Sequence, residues 1–317
     1  MAKAPDTDKQ RVSSFSIKGD QLNLGSEIAL VSGIFGAEGY EQGGGLAIDN
    51  QRNLYIGVGD GGFRAGQMAN TQYTPTNYFA TCLTNGNGKI LRIGLDGSIP
   101  RDNPLVGKKL VTDCGPQGGD SPFKRALRGP RQDIWAWGVR NPWRLWMDPK
   151  TNYLWFVDDG DITNEEVNVA TASGQHFGWP WREGAQGHPR SSCKKVTPGQ
   201  DCVEPAYFCK HGPDADGIDG GCQSMGGGLA IDDRRWPEAE RGKFYFGDCS
   251  NGWIWNLAMN KDRTGIVPRS RQTFARVGGM IVDMDLEGDG SLYIGVLELP
   301  PEKSRIVKIS PRSTVAH

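Results

Sequence analysis

The sequence predicts an all-β protein of the β-propeller class, and three observations favour this fold. Glycine makes up 45 of the 317 residues, about twice its usual share, and glycine disfavours helices by about 1 kcal/mol per residue. No segment carries a long apolar stripe with the helical period. One unit, an apolar strand followed by an Asp-containing turn and an aromatic strand, recurs four times, and such repetition is typical of propellers.

The four repeat units follow one another along the chain. The first reads GGGLAIDNQRNLYIGVGDGG over 43–62, and the second reads RNPWRLWMDPKTNYLWFVDDGD over 140–161. The third covers 226–252 and the last, GGMIVDMDLEGDGSLYIGV, covers 278–296. Alternation with β-branched and aromatic residues marks the strands, and Asn, Asp, Gly and Pro mark the turns. A β-sandwich is the alternative fold, but the repeat argues against it. Further strands are predicted after three of the units, at 89–99, 253–259 and 305–311.

The domain organisation follows from these units. We predict a single propeller domain over 11–311, with a disordered tail over 1–10 and a short tail over 312–317. The stretch 11–30 is predicted to form the outer strands of a preceding blade. A loop insertion stapled by disulfides is predicted at about 185–224, because this stretch is rich in Gly, Pro, Asp and Cys.

Charge and hydropathy argue against several classes of partner. The chain has 36 basic and 37 acidic residues, a net charge of −1, and neither a nucleic acid nor an anionic membrane is expected as its main partner. No apolar run reaches the roughly 18 residues of a membrane-spanning helix, so membrane insertion is not expected.

Seven cysteines indicate disulfides and an oxidising compartment. None forms a C-x-x-C pair, so a zinc ribbon or a thioredoxin-like motif is not supported. We predict the pairs Cys193–Cys202, Cys209–Cys222 and Cys82–Cys114, with Cys249 unpaired. The expected location is periplasmic or secreted, with the export signal outside this chain. The alternative is a cytosolic protein with buried free thiols.

The densest chemistry lies in residues 133–184, which hold seven of the ten tryptophans. The planar fork of Arg140 can grip a carboxylate or a quinone oxygen, and Asn141 adds a donor and an acceptor beside it. The alternative is that Arg140 pairs with a carboxylate of a neighbouring blade. His176 follows this region and is a candidate to face a site, although a packed or surface histidine is the more common case.

The loop 158–166 places five carboxylates within nine residues. Carboxylates this close need a cation or solvent, and hard oxygen ligands suit Ca²⁺. The alternative is a solvated acidic turn. A weaker calcium candidate is formed by Asp214, Asp216 and Asp219, which resemble half of a calcium loop.

Several pieces, in this order, resemble the glucose/sorbosone dehydrogenase family. These are soluble quinoprotein sugar dehydrogenases that use pyrroloquinoline quinone (PQQ), and Hedgehog-interacting-protein-like proteins share their fold. The resemblance implies a six-bladed β-propeller with its site on the axis. This chain is then expected to lack the N-terminal blade and part of the second. The matching pieces are 43–62, GKILRIGLDGSIPRDNPL (88–105), WAWGVRNPWRLWMDP (135–149), DDGDITNEEVNV (158–169), FGWPWREG (177–184) and GKFYFGDCSNGWIWNL (242–257).

The resemblance also implies roles for individual residues around the cofactor. Arg140 and Asn141 match the family's Arg-Asn pair that contacts the quinone. Gly160 and Asp161 match the two positions whose backbone carbonyls hold Ca²⁺ under PQQ, and Asp159 matches the polar residue before them.

A further calcium site of some family members is matched by Glu166 and by the carbonyl of Phe177.

The chain also departs from the family pattern. The family's catalytic base is a His in a His-Gly-Gly segment, expected upstream of this chain, so no catalytic residue is assigned from the sequence. The family's Arg-x-Arg-Asp, which clamps the cofactor carboxylates, corresponds to Met280-Ile281-Val282-Asp283, without either arginine. The lysine expected at 224–228 is absent as well.

Three functions remain open at this stage. The first is a soluble quinoprotein that oxidises the C1 hydroxyl of an aldose to the lactone, dependent on PQQ and Ca²⁺. The second is a non-catalytic, extracytoplasmic, calcium-stabilised propeller that binds a sugar or a protein partner, as the Hedgehog-interacting-like branch would imply. The third is a lactonase-type propeller hydrolase, which predicts lactone opening without PQQ.

Overall fold

The computed structural model describes residues 8–35, 41–62, 78–109, 129–187, 189–195, 199–212, 221–250 and 252–311. Strands dominate the described part, and its helical elements are short 3-10 turns, which confirms the all-β prediction. The chain enters through a long antiparallel hairpin of β1 (Asp8–Lys18) and β2 (Gln21–Phe35). The 3-10 turns span Tyr78–Ala80, Arg190–Lys195, Glu238–Glu240 and Pro301–Lys303.

The remaining long strands form four antiparallel sheets, which we name blades A to D. Blade A has the order β3 (Gly43–Ile48), β4 (Asn53–Val58), β5 (Lys89–Gly94), β6 (Ile134–Trp137). Blade B begins with β7 (Pro142–Met147), β8 (Leu154–Asp158) and β9 (Asn164–Ala170). A short hairpin of β10 (Arg182–Glu183) and β11 (Gln186–Gly187) follows, and β12 (Tyr207–Lys210) then completes blade B beside β9. Blade C has the order β13 (Met225–Ile231), β14 (Lys243–Asp248), β15 (Trp253–Ala258), β16 (Gln272–Arg276). Blade D has the order β17 (Met280–Leu286), β18 (Leu292–Leu297), β19 (Arg305–Ile309).

The first strand of each blade lies innermost, and neighbouring innermost strands β3, β7, β13 and β17 contact one another in chain order. The start of each innermost strand pairs with the end of the next strand. The turns before the innermost strands and after the second strands therefore gather at one end of the propeller, which we call the site end. The paired residues are Gly43 with Val58, Pro142 with Asp158, Met225 with Asp248, and Met280 with Leu297.

Each pair of neighbouring blades encloses an apolar core, as radial packing requires. Tyr55, Leu145 and Phe156 belong to the core between blades A and B. Blades B and C share a core that includes Trp155 and Phe246, and blades C and D share another. Burial of aromatic faces from two blades at once accounts for the aromatic second strands of the repeat.

Close approach of the innermost strands explains the glycine runs that open two of the repeat units. A Cβ atom built at Gly226 would lie 1.5 Å from the carbonyl oxygen of Ile281 on β17. No side chain fits at that distance, so blade C can approach blade D only with glycine here. Glycine therefore permits close contact between innermost strands, in addition to forming the turns that the sequence predicted.

The domain boundaries can be compared with the described strands. Strand β1 begins at Asp8, inside the predicted tail, and β1–β2 form a separate two-stranded sheet beside blade A. The predicted insertion at 185–224 contributes β12, so part of it is a regular outer strand of blade B. The described residues contain four blades and one hairpin where the resemblance implies six blades.

The cysteine predictions are confirmed where the structure describes them. Cys193 is bonded to Cys202 and Cys209 to Cys222, with Cα atoms 5.1 and 5.9 Å apart, and Cys249 is free. Cys82 is also disulfide-bonded. Its predicted partner, Cys114, lies outside the described residues.

Membrane insertion was not expected from the sequence. In the part of the chain that the structure describes, no helix has the length and apolarity needed to cross a bilayer.

A buried ion pair joins blades B and C at the end opposite the site. Arg263 Nε donates to Asp148 Oδ2 at 2.6 Å, and Arg263 Nη1 lies 2.8 Å from Asp232 Oδ2. Both Arg263 and Asp148 are buried, and the guanidinium also lies over the ring of Trp146. Loss of the arginine would leave a buried carboxylate without its charged partner.

We expect Arg263→Met to lower the free energy of unfolding by about 3–5 kcal/mol, because removal of one partner leaves a buried charge unpaired. Urea unfolding followed by tryptophan fluorescence measures this change. The matched control is Lys308→Met, which breaks the exposed pair of Lys308 and Asp289 and should leave stability nearly unchanged. Equal effects of the two substitutions would contradict the role given to Arg263.

Candidate functional site

The turns at the site end bring together one arginine and a group of carboxylates. Arg140 and Asn141 precede β7 and the acidic loop follows β8, while turns of blade A contribute a carboxylate on each side of β3–β4. We call this group the Arg140 cluster. Its members are Glu41, Asp60, Arg140, Asn141, Asp158, Asp159, Gly160, Asp161 and Glu165.

The Arg140 guanidinium is buried and ties three turns together. Its Nη1 atom donates to the carbonyl oxygens of Asp159, at 2.9 Å, and of Gly160. Its Nη2 atom donates to Glu41 Oε1 at 2.7 Å and to Asp161 Oδ1 at 3.2 Å. Arg140 therefore binds the predicted acidic loop, and it also pairs with a carboxylate of the neighbouring blade, which was the alternative from the sequence.

Asn141 and Asp159 connect three blades through their side chains. Asn141 Oδ1 accepts from the backbone N–H of Gly43 in blade A at 2.8 Å, and its Nδ2 donates to Asp159 Oδ2 at 3.2 Å. Asp159 Oδ1 in turn accepts from the backbone N–H of Met225 in blade C at 2.8 Å. The sequence motifs Arg-Asn and Asp-Asp-Gly-Asp thus hold the innermost strands in register as well as forming the site.

Four buried carboxyl groups bring negative charge together in the interior. Burial raises the pKa of Asp158 well above its ordinary value, and Glu166 adds to the shift. Burial likewise raises the pKa of Glu165, with a second contribution from Asp159, whose own pKa is raised by burial. The pKa of Glu166 is raised to about 7, again chiefly by burial. The described cluster therefore holds several neighbouring carboxylates and a single arginine to balance their charge.

The acidic loop is closed by a residue that the sequence reasoning missed. Glu183 Oε1 accepts hydrogen bonds from four consecutive backbone N–H groups, those of residues 161–164, at 2.7 to 3.0 Å. Gly160 is required at the turn because a Cβ atom there would lie 1.7 Å from the Asn164 carbonyl oxygen. The signal was present in the motif FGWPWREG, which carries Glu183 and was used only as a family match.

Asp60 is the second functional candidate that the sequence reasoning missed. It is fully buried, and Oδ2 accepts from the indole Nε1 of Trp179 at 2.7 Å while Oδ1 accepts from the backbone N–H of Gly62. Burial raises its pKa to about 7, against the opposing charge of Arg140. A Gly-Asp step at the end of the second strand or shortly after it recurs in three repeat units, and this pattern could have identified Asp60.

His176 does not face the site. It is fully buried, its Nδ1 accepts from the backbone N–H of Gly178 at 2.9 Å, and its ring stacks on Trp181. Burial lowers its pKa to about 3, with a smaller contribution from Lys89. The imidazole is therefore a neutral packing group beside the Cys193–Cys202 disulfide. This agrees with the alternative given from the sequence, a packed histidine.

The other predicted calcium ligands lie in different surroundings. Glu166 accepts from the backbone N–H of Gly184 at 2.6 Å and from Asn168 Nδ2 at 2.9 Å. Phe177 packs its ring on Phe156 in the core between blades A and B. The second calcium candidate, Asp214, Asp216 and Asp219, lies outside the described residues.

Strand β17 supplies no positive charge to the site end. Met280 opens the strand, and the carbonyl oxygen of Val282 accepts from the indole Nε1 of Trp143 at 2.9 Å. Asp283 pairs with Arg144, which stacks on Trp143. At the positions where the family motif has arginines, side chains of blade B therefore contact the start of blade D: Trp143 contacts Val282, and Arg144 contacts Asp283.

The cluster fits a divalent cation by its chemistry. Its donors are carboxylates and backbone carbonyls, the hard oxygen ligands that suit Ca²⁺. Glu165 Oε2 is buried, accepts no hydrogen bond from a described donor, and lies beside the Asp159 carboxylate. Gly160 and Asp159 keep a second lone pair on each carbonyl that Arg140 contacts. A bound cation would neutralise the surplus negative charge.

A quinone that carries carboxylates fits only together with that cation. Arg140 and Asn141 both contact Asp159 of the acidic loop, and Arg140 Nε is a buried donor with no hydrogen-bond partner among the described residues. Arg140 alone does not balance several carboxylates. The positive charge of a bound calcium ion is therefore what makes such a ligand compatible with the described residues.

Comparison with known proteins places the chain in a family. The family model described as "Glucose / Sorbosone dehydrogenase" matches residues 1–298. Aldose sugar dehydrogenase YliI of Escherichia coli is 25% identical over 276 residues, which cover 86% of this chain and 60% of YliI. The HIPL1 protein of Arabidopsis thaliana is 33% identical over 162 residues, 50% of this chain and 19% of that protein.

A solved structure shows the same fold. The PQQ-bound form of the aldose sugar dehydrogenase of Streptomyces coelicolor superposes with a TM-score of 0.63 at 19% identity, over 94% of this chain and 71% of that one. The predicted β-propeller fold of the sugar dehydrogenase type is therefore confirmed. The chain spans 60% of the length of YliI.

The buried carboxyl of Asp60 makes stability depend on pH. Its pKa of about 7 in the folded chain exceeds the roughly 3.9 of an unfolded chain. The folded state binds more protons between these values, so the stabilising contribution is complete at low pH. It falls by up to about 1.4 kcal/mol per pH unit as the pH rises toward 7.

Asp60→Asn should therefore flatten the decline in the free energy of unfolding between pH 5 and pH 8, measured by urea unfolding with a chelator present. Asp289→Asn is the control, because hydrogen bonds from Lys308 and Ser291 lower the pKa of Asp289 to about 2, so it stays ionised across this range. An Asp60→Asn variant as steep as the wild type would refute the expected contribution.

Proposed function

Because the chain belongs to the glucose/sorbosone dehydrogenase family, we propose that it is a sugar dehydrogenase that oxidises the C1 hydroxyl of an aldose to the lactone. The cofactors are Ca²⁺ and PQQ, bound at the Arg140 cluster. One observation carries the proposal: Arg140 and Asn141 meet the acidic loop at the site end, in hydrogen-bond contact with Asp159, Gly160 and Asp161.

Calcium would be held by the backbone carbonyls of Gly160 and Asp161, with Glu166 and the carbonyl of Phe177 as a further site. The ion supplies Lewis acidity and two positive charges. Glu183 fixes the loop by its four backbone hydrogen bonds. The carboxylates of Asp158, Asp159 and Glu165 are buried in the same cluster, and their negative charge would stabilise a bound cation.

The quinone would be oriented by Arg140 and Asn141, with Asp159 behind them. PQQ supplies the hydride acceptor that no amino-acid side chain provides. Arg140 is preorganised for this task because two carbonyls, two carboxylates and the Trp179 ring fix its position. Trp179 also covers the guanidinium and limits the access of water, which strengthens the electrostatic contacts inside.

The proposed location is extracytoplasmic. Cys193–Cys202 and Cys209–Cys222 form disulfides, which persist in oxidising compartments. Both bridges tie down the stretch that follows the site, between β11 and β13. The proposed partner is a small sugar, and neither a nucleic acid nor membrane insertion is part of the proposal.

A second function is favoured by one specific observation. Strand β17 has Met280 and Val282 where the family clamp has arginines, and Trp143 of blade B hydrogen-bonds to the Val282 carbonyl. A propeller that binds calcium for stability and recognises a sugar or protein, without a quinone, would retain the Arg140 cluster and dispense with the clamp. Similarity to the HIPL1 protein of Arabidopsis thaliana supports this candidate.

Ligand-dependent melting separates the two functions. We expect calcium to raise the melting temperature, and PQQ added after calcium to raise it further, because each ligand binds the folded state. With calcium and PQQ present, glucose or another aldose should reduce an artificial dye. A rise with calcium alone and no effect of PQQ would select the binding propeller, and lactone opening without PQQ would select the lactonase.

Arg140→Lys tests the guanidinium fork while retaining the positive charge. Because lysine cannot bridge two carbonyls and two carboxylates at once, we expect PQQ affinity to fall by about tenfold or more, with a corresponding loss of kcat/KM. Tryptophan fluorescence titration measures the affinity. Arg182→Lys is the matched control, since Arg182 is equally buried and pairs with Glu204. Unchanged PQQ affinity in Arg140→Lys would contradict the proposed role.

A further inference from the structure

Oxidation of a sugar hydroxyl requires a group that takes the hydroxyl proton, and the sequence assigned none. Most carboxylates of the Arg140 cluster are unsuited to this task. Asp60 and Asp158 are buried, and their oxygens accept from backbone or indole N–H groups. Asp159 and Glu165 are buried too, and Glu165 Oε1 lies 2.6 Å from His211 Nε2.

Glu41 differs from these carboxylates in its access to solvent. Its side chain is 19% exposed. Oε1 accepts from Arg140 Nη2 at 2.7 Å, and no described residue hydrogen-bonds to Oε2. One oxygen is thus anchored on the arginine that is proposed to hold the quinone, and the described residues leave the other without a hydrogen-bond donor.

The backbone at Glu41 is held in an uncommon conformation. Its φ angle is 47°, in the left-handed region that non-glycine residues rarely adopt. The Glu41 carbonyl oxygen accepts from the backbone N–H of Gly61, and a Cβ atom at Gly59 would lie 2.0 Å from that oxygen. Contacts with the turn after β4 therefore fix the side chain next to Arg140 at a cost in backbone strain, as at many functional sites.

The charges around Glu41 and its partial burial make its carboxyl a stronger base than an ordinary Glu. Burial raises its pKa above the ordinary value, Arg140 opposes the shift, and Asp159 and Asp161 add to it. Asp60 lies close enough to interact with it as well. Above its pKa the carboxylate can accept a proton, so its activity as a base should fall as the pH decreases.

We propose that Glu41 is the general base of the sugar oxidation, an inference that rests on the proposed dehydrogenase function. Glu41 Oε2 takes the proton of the C1 hydroxyl as its O–H bond breaks. The C1–H bond breaks with its electron pair, which leaves as hydride to the ortho-quinone acceptor. The C1–O bond becomes the lactone carbonyl, and Glu41 returns its proton to solvent through its exposed edge.

The experiment compares Glu41→Gln and Glu41→Asp with the wild type, loaded with calcium and PQQ. For Glu41→Gln we expect kcat to fall by about 10²- to 10⁴-fold, while KM and the PQQ dissociation constant change by less than about threefold. Added formate should restore part of the rate. Glu41→Asp, which keeps the carboxylate, should retain a measurable rate with the acid limb of the wild-type pH profile.

The matched control is Glu204→Gln. Glu204 pairs with Arg182 at 2.7 Å, the same distance as Glu41 and Arg140, and the two arginine side chains are both 9% exposed. This variant should keep the wild-type rate. Independently of activity, infrared titration of the unloaded protein should show one fewer carboxyl titrating above the ordinary range in Glu41→Gln than in the wild type and in Glu204→Gln.

The remaining outcomes decide against the assignment. A Glu41→Gln variant within threefold of the wild-type kcat would overturn the role of Glu41 and leave the dehydrogenase function standing. Loss of PQQ binding together with kcat, in both Glu41 variants, would show that Glu41 only positions Arg140. If the loaded wild type oxidises no aldose, the dehydrogenase function itself fails, and the assignment of Glu41 falls with it.

Discussion

One buried guanidinium organises the site end of this propeller. Arg140 binds two backbone carbonyls of the acidic loop and two carboxylates from different turns. A buried carboxylate without a partner is costly, and several of them converge here because the chain must bring innermost strands together at the same end. The arrangement is stable only if the arginine is in place, and it leaves negative charge that a divalent cation can neutralise.

The same contacts that make the site also hold the blades together. The Asn141 side chain accepts a hydrogen bond from the backbone N–H of Gly43 in blade A, and the Asp159 side chain accepts one from the backbone N–H of Met225 in blade C. The candidate site and the fold therefore share one set of hydrogen bonds, so substitutions in the cluster should affect stability as well. The ion pair of Arg263 with Asp148 joins blades B and C at the opposite end, so each end of this blade pair has its own polar link around an apolar core.

The departures of strand β17 gain a physical meaning from the structure. Where the family motif has arginines, this chain has Met280 and Val282, and the Trp143 indole of blade B donates a hydrogen bond to the Val282 carbonyl oxygen. Among the described residues of the Arg140 cluster, Arg140 is the cation that could face an anionic cofactor. Under the dehydrogenase proposal calcium would add the remaining positive charge, and this requirement separates the catalytic from the non-catalytic proposal.

The sequence alone determined the repeat and the strands of its four units, because these depend on local periodicity and turn residues. The pairs Cys193–Cys202 and Cys209–Cys222 and the free Cys249 agree with its predictions, but the tertiary structure decides the connectivity, which cysteine spacing does not fix. The sequence also identified Arg140, Asn141 and the acidic loop through motifs that are contiguous in the chain. Glu41, Asp60 and Glu183 escaped it. Their contacts form when turns about a hundred residues apart, or a loop and the hairpin that follows it, come within hydrogen-bond distance, so the motifs that carry Asp60 and Glu183 did not by themselves reveal the partners. The packing of His176 against Trp181 was likewise decided by the tertiary structure, since burial and partners, not residue type, set whether an ionisable group serves the core or the site.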